Sequence, residues 1–109
     1  MANTFKSVTL DAGLTMSDLI STVGASTQVI VLTCRATNVD GAADATVDVE
    51  ITDRASKNAY IAYTMTVPAD SSLELAGTSK LVLETGDKLQ ALASATGDIE
   101  FFVSYLEIT

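Results

Sequence analysis

Apolar residues in this chain recur at every second position, in short runs that turn-forming residues keep cutting off. The clearest case is Ala43 to Asp53, where Val47, Val49 and Ile51 alternate with Thr46, Asp48, Glu50 and Thr52. Successive side chains of a strand point to opposite faces, so this spacing defines a half-buried strand with one wet face. A helix would need its apolar residues three and four positions apart. Thr27 to Asn38, rich in Val, Ile, Leu and Thr, is apolar on both sides around its middle and is expected to be a central strand. Between these two, Val39-Asp40-Gly41-Ala42 is a turn signal, because Asp-Gly readily supplies a positive φ; an antiparallel hairpin is expected here.

The same grammar extends over the rest of the chain. Thr4 to Leu10 alternates until Asp11-Ala12-Gly13 breaks it. Leu14 to Val23 fits either a capped helical turn from Thr15 or a short strand over Leu19 to Val23 ended by Gly24, with the strand favoured. Ala59 to Val67 alternates up to Pro68, which has no N–H to continue a ladder. Leu73 to Leu75 and Leu81 to Leu83 flank Ala76-Gly77-Thr78 as two short strands, and Glu84-Thr85-Gly86-Asp87 is a further turn. Leu89, Ala91, Ala93 and Ala95 form an inward row of mostly small side chains that lets a facing sheet approach closely. After the Thr96-Gly97 turn, Asp98 to Thr109 puts Ile99, Phe101, Val103 and Tyr105 on one face and Phe102, Leu106 and Ile108 on the other. A strand apolar on both faces is either central in its sheet or covered by a partner subunit. About eight strands with turns every 8 to 12 residues or so make an all-β chain, an antiparallel β-sandwich or jelly roll.

With 109 residues, 1–109 is expected to be a single β-sandwich domain with one modest core. The longest uninterrupted aliphatic run, Val29 to Leu32, is far short of the roughly 20 residues of a spanning helix, and the N-terminus lacks the pattern of a secretory signal. The mature protein is therefore expected to begin near Met1 and to be made in a cytoplasm. Fourteen acidic against six basic residues give a net charge of -8, with no two basic residues adjacent. That balance repels phosphate backbones and anionic membranes, so neither nucleic acid nor membrane is expected as a partner. It suits solubility, or docking onto a basic patch of another protein.

Chemistry is sparse. There is no His, the residue that most often supplies a base near neutral pH. Asp48 with Glu50, and Asp98 with Glu100, are spaced as paired carboxylates, but any solvated strand face carries charges in this way, and that reading is preferred. Cys34 alternates with Ile30 and Leu32 as a small buried side chain, and Arg35 beside it points to the opposite face. Asp40, Asp44 and Asp53 lie near loops and could offer oxygens to Ca²⁺, yet no D-x-D-x-D-G loop is present and an incidental set of loop acids is the preferred account. One Cys and no His leave nothing to build a zinc site from. Tyr60, Tyr63 and Tyr105 are the available rings for a sugar-stacking platform, although their strand positions favour packing with a wet hydroxyl. No residue is assigned as catalytic, cofactor-binding or metal-ligating, no cofactor is expected, and the chain is not expected to be an enzyme.

Several segments in one order resemble a family of small virion structural proteins of tailed bacteriophages. They are Ser21-Thr22-Val23-Gly24-Ala25-Ser26-Thr27 before an aliphatic strand, Ala36-Thr37-Asn38-Val39-Asp40-Gly41 closing it, Val67-Pro68-Ala69-Asp70-Ser71-Ser72-Leu73, Leu81-Val82-Leu83-Glu84-Thr85-Gly86-Asp87-Lys88-Leu89, Ala93-Ser94-Ala95 and Ser104-Tyr105-Leu106-Glu107-Ile108. The resemblance covers about four fifths of the chain from Ser21 onward. It implies a structural part of the virion, without saying which part, assembled in the host bacterial cytoplasm. Together with the sparse chemistry and the two-faced last strand, it makes a capsid decoration or cement protein the leading expectation, homo-oligomeric and contacting the major capsid protein or other virion proteins. A tail, neck or fibre component and a carbohydrate-binding host-attachment module are the alternatives.

Overall fold

A computed structural model describes residues 2–76 and 80–109. Nine strands occur among the described residues, and none of these residues is helical: β1 (Asn3–Asp11), β2 (Ser17–Ile20), β3 (Gln28–Asn38), β4 (Ala45–Thr52), β5 (Asn58–Val67), β6 (Ser72–Glu74), β7 (Leu81–Leu83), β8 (Lys88–Ala93) and β9 (Ile99–Ile108). They form two antiparallel sheets. One has the order β1-β9-β3 with β6 and β7 sharing the far edge of β3, and the other runs β2-β8-β4-β5. Since β6 and β7 occupy one position in their sheet, the nine segments fill eight places, and nearly every connection passes from one sheet to the other. That is the strand order of a jelly roll. The ambiguous segment Leu14 to Val23 does contain a strand, but at Ser17–Ile20 rather than Leu19 to Val23, ending short of Gly24; the turn expected at Ala76-Gly77-Thr78 falls, at Gly77 and Thr78, outside the described residues.

Two apolar faces meet between the sheets. Val29, Val31, Cys34, Leu83, Ile99, Phe101 and Val103 come from the first sheet, facing Ala45, Val47, Val49, Ala62, Leu89, Ala91 and Ala93 from the second, all of them buried. Leu89, Ala91 and Ala93 are all buried along β8, so they form the inward row that their spacing implied. Ala95 does not belong to it: β8 ends at Ala93, and Ala95 is only partly buried in the following turn. Strand β9 is central, lying between β1 and β3.

The expected hairpin of β3 with β4 is not formed. These strands are central in different sheets, and the chain between them crosses the edge of the sandwich. Neither Asp40 nor Gly41 has a positive φ, so the Asp-Gly pair does not make the hairpin turn. The crossing is held by Asn38, whose buried side chain donates to the carbonyls of Ala43 and Val67, both at 3.0 Å, and accepts the Asp40 N–H at 2.9 Å. The hairpin that does form is β4–β5. Its turn is organised by Asp53, which accepts the N–H groups of Ala55 at 2.8 Å and Lys57 at 2.9 Å.

Candidate interaction surface

Antiparallel register places directly opposed residues on the same face of a sheet. Across the first sheet, Phe5 opposes Leu106, Leu106 opposes Ile30, and Ile30 opposes Val82. These four side chains form one apolar row across β1, β9, β3 and β7 on the side away from the core. Phe5 is 74% exposed and Val82 59%. On β1, β9 and β3 the adjoining rows are Ser7-Ser104-Thr33 and Asn3-Ile108-Gln28, so on these three strands this half of the face holds no ionisable side chain; Lys80 and Glu84 flank it at the β7 edge. The apolar second side of β9 seen in the sequence is therefore open within one chain, with Phe102 44% exposed one row further along.

Charge collects at the opposite end of the sandwich. Asp11 directly opposes Glu100 across β1 and β9, lining a shallow cleft with Thr9, Thr37 and Phe102. Beside them the loops bearing Asp40, Asp70 and Asp98 are joined by backbone bonds, Asp70 N–H to Asp40 O and Val39 N–H to Asp98 O. Asp44 accepts the Ala69 N–H at 3.0 Å in the same region. The loop acids considered as cation ligands are thus separated: Asp44 and Asp53 flank opposite ends of β4, and each caps backbone N–H groups. Among the described residues no group of three or more potential ligands is close enough to hold a metal ion.

The second sheet presents a different surface. Tyr60 and Tyr63 meet edge to face with ring centroids 4.7 Å apart and stay 50% and 67% exposed, so they pack on each other more than on the core. Tyr105, by contrast, packs against the core from the inner side of β9. Burial, then the charges of Glu50 and Asp48, holds the Tyr60 phenol above its ordinary pKa. Glu50 corrects the solvated-face reading. It is only 6% exposed, because β4 is central in its sheet and Tyr60 and Gln90 oppose Glu50 on either side. Asp48 is occupied as well, accepting the Thr64 N–H at 2.7 Å. Cys34 is fully buried, and burial followed by the charge of Glu74 pushes its thiol up to about 12.

Sequence reasoning found the individual strands of the exposed row but not the row itself. Phe5, Ile30, Val82 and Leu106 are adjacent only through register, and register is not written in spacing along one strand.

No sequence-family model matches the chain, and no curated protein matches it by sequence. The fold does have counterparts among solved structures. A chain of the acid-stable capsid of a Helicobacter pylori bacteriophage superimposes with a TM-score of 0.58 at 11% identity, covering 100% of this chain and 89% of that one. A chain from Bacillus endospore appendages, described as disulfide-linked pili, gives 0.57 at 12% identity over 99% and 87%. A pentameric capsid protein from metagenomic phage sequences gives 0.48 at 19% identity, covering 90% of this chain and 60% of its own. At such identities the likeness is one of fold: a jelly roll that phage capsid and pilus proteins also use.

Proposed function

We propose that this chain is a structural protein of a tailed-phage virion, a capsid decoration protein that acts as one domain and seats the apolar half of the first sheet's outer face on the shell. The observation that carries this is the Phe5-Leu106-Ile30-Val82 row, a continuous apolar strip on a sheet that no other described residues cover. Exposed apolar strips of this kind mark interaction sites. The fold shared with a phage capsid chain and the sequence resemblance to virion proteins support the same reading. Many copies on a symmetric shell turn a modest contact into firm attachment through avidity. A disulfide-linked pilus subunit is disfavoured, since Cys34 is the only cysteine and is buried.

The test is immunogold labelling and cryo-EM of particles from the virus whose genome encodes the chain. Regular density of jelly-roll size on the head, lost when Leu106→Lys replaces the wild type, is expected; particles without the chain overturn the proposal. A second reading, a sugar-binding attachment module, draws on the exposed Tyr60–Tyr63 pair. Glycan-array binding abolished by Tyr63→Ala would transfer support to it.

A further inference from the structure

A jelly roll leaves four strand edges open, and natural sheets blunt such edges with short strands, bulges or prolines to prevent unwanted pairing. Three of the four are blunted here. Strand β2 has four residues and a register shift. Strand β5 has two register shifts, a positive φ of 49° at Thr64, and Pro68 at its end. The edge made by β6 and β7 is split into two three-residue pieces. Strand β1 is different: nine consecutive residues pair with β9 without a shift, and it contains neither Pro nor Gly.

Its free groups can be identified. Ala2 and Thr109 exchange two backbone bonds of 2.9 Å, and Ala12 donates to Ile99 at 2.9 Å, so even-numbered residues point their N–H and C=O toward β9. Alternation then turns the N–H and C=O of Asn3, Phe5, Ser7, Thr9 and Asp11 outward. No backbone bond among the described residues reaches these groups from that side.

We propose that β1 is a self-association edge: two copies pair β1 to β1 antiparallel about a two-fold axis through Ser7, joining their first sheets into one. Ser7 is the midpoint of Asn3–Asp11, so this register uses every outward group of both strands and sets Phe5 opposite Thr9 and Asn3 opposite Asp11. Charge selects the antiparallel sense and the second copy as occupant. The acidic end of one molecule, with Asp11 and Glu100 on the outer face, comes beside the end of the other whose outer face carries no charge, its Lys6 lying on the inner side and paired with Glu107. A parallel pairing would bring the two acidic ends together. A two-fold axis through Lys6 would oppose like charges directly, which destabilises a strand pair. The inference is independent of whether the chain sits on a virion, because it concerns the purified protein alone.

Cysteine substitution reads the register. Opposed residues in a hydrogen-bonded antiparallel pair lie about 5.5 Å apart at Cα, within disulfide range. Ser7→Cys is expected to give a linked dimer on mild oxidation. Phe5→Cys, whose equivalent in the other copy is four residues out of register, is expected to stay unlinked. Cys34 is buried and contributes no background. Ser7→Pro removes an outward N–H that β9 does not use; sedimentation velocity should show at least about tenfold weaker association, with the thermal transition retained. Wild-type protein that stays monomeric at every concentration, or Ser7→Cys that links no faster than Phe5→Cys, overturns the proposal. Unchanged association of folded Ser7→Pro does so too.

Discussion

Gly86 and Gly97 form a matched pair that separates backbone strain from crowding. Both have positive φ, 93° and 83°, where an L side chain is disfavoured. A Cβ on Gly97 would meet nothing within 4 Å, whereas on Gly86 it would stand 2.7 Å from the Arg54 Cβ and 3.4 Å from its Cα. Arg54 has little freedom to yield. Its N–H donates to Asp87 Oδ1 at 2.9 Å, and its guanidinium meets Asp87 at 3.2 Å and Glu84 at 3.2 Å. An Ala in the left-handed region costs about 1–2 kcal/mol, partly offset by about 0.4–1 kcal/mol from the stiffer unfolded chain, so Gly97→Ala should lose about 1 kcal/mol. Gly86→Ala adds the overpacking cost of about 1–3 kcal/mol, for a total of about 2–4 kcal/mol. Urea unfolding with an unchanged slope should show that gap, and calorimetry should place the two melting temperatures roughly 4–12 °C apart. A double variant with Arg54→Gly, which removes the opposing Cβ, should recover part of the Gly86→Ala loss. Equal losses in the two single variants would refute the crowding argument.

Asn38→Ala should destabilise by about 2–4 kcal/mol, since it strips bonds from the buried carbonyls of Ala43 and Val67 and from the Asp40 N–H; a loss below about 1 kcal/mol in urea would show that water or the loop replaces them. Cys34, with its thiol pushed up to about 12, should react with a thiol reagent at pH 8 only as fast as the protein opens, and rapid labelling in native buffer would contradict its burial. The Asp53 carboxyl is held below its ordinary 3.8 by the N–H groups of Lys57 and then Ala55. Its folded value is the lower one, so its contribution is complete above the unfolded value and is lost as pH falls through the folded value. Amide signals of Ala55 and Lys57 followed by NMR should titrate with a midpoint below the ordinary 3.8, and that response should vanish in Asp53→Asn.

The strands were legible because each obeys a local rule: alternation sets its face, and Gly, Pro or Asp ends it. What local rules do not carry is which sheet a strand joins. Asp40-Gly41 has the composition of a hairpin turn, but β3 and β4 each have an apolar face that is buried only when they oppose one another across the core. Asn38 then compensates the crossing with three bonds, and an Asn at a strand end gives no sign in sequence that it will be buried. Glu50 was misread for a related reason. Alternation assigned it correctly to the outer side of β4, yet a central strand has neighbours on both flanks, and here Tyr60 shields it. The exposed apolar row needed both pieces of missing information, sheet membership and register.

The distribution of charge links the two proposed contacts. A net charge of -8 makes any approach of two copies unfavourable at long range, and salt at physiological strength screens it over about 8 Å. Contacts are least opposed where the local surface is neutral. The outer rows around Phe5 are neutral, and β1 carries only Lys6 and Asp11, with Lys6 already bonded to Glu107 at 3.0 Å on the inner side. The acids of the Asp40, Asp70 and Asp98 loops lie at the other end, where antiparallel pairing keeps the two molecules' acidic ends apart. Edge pairing also extends the Phe5-Leu106-Ile30-Val82 row, since Thr9 and Phe102 of the second copy follow Phe5 across the seam. The joined sheets then offer a shell two such apolar strips related by the two-fold axis, each ending at Arg35 of the other copy and flanked by its Asp11 and Glu100, and a single β-edge contact enlarges the surface by which each copy attaches.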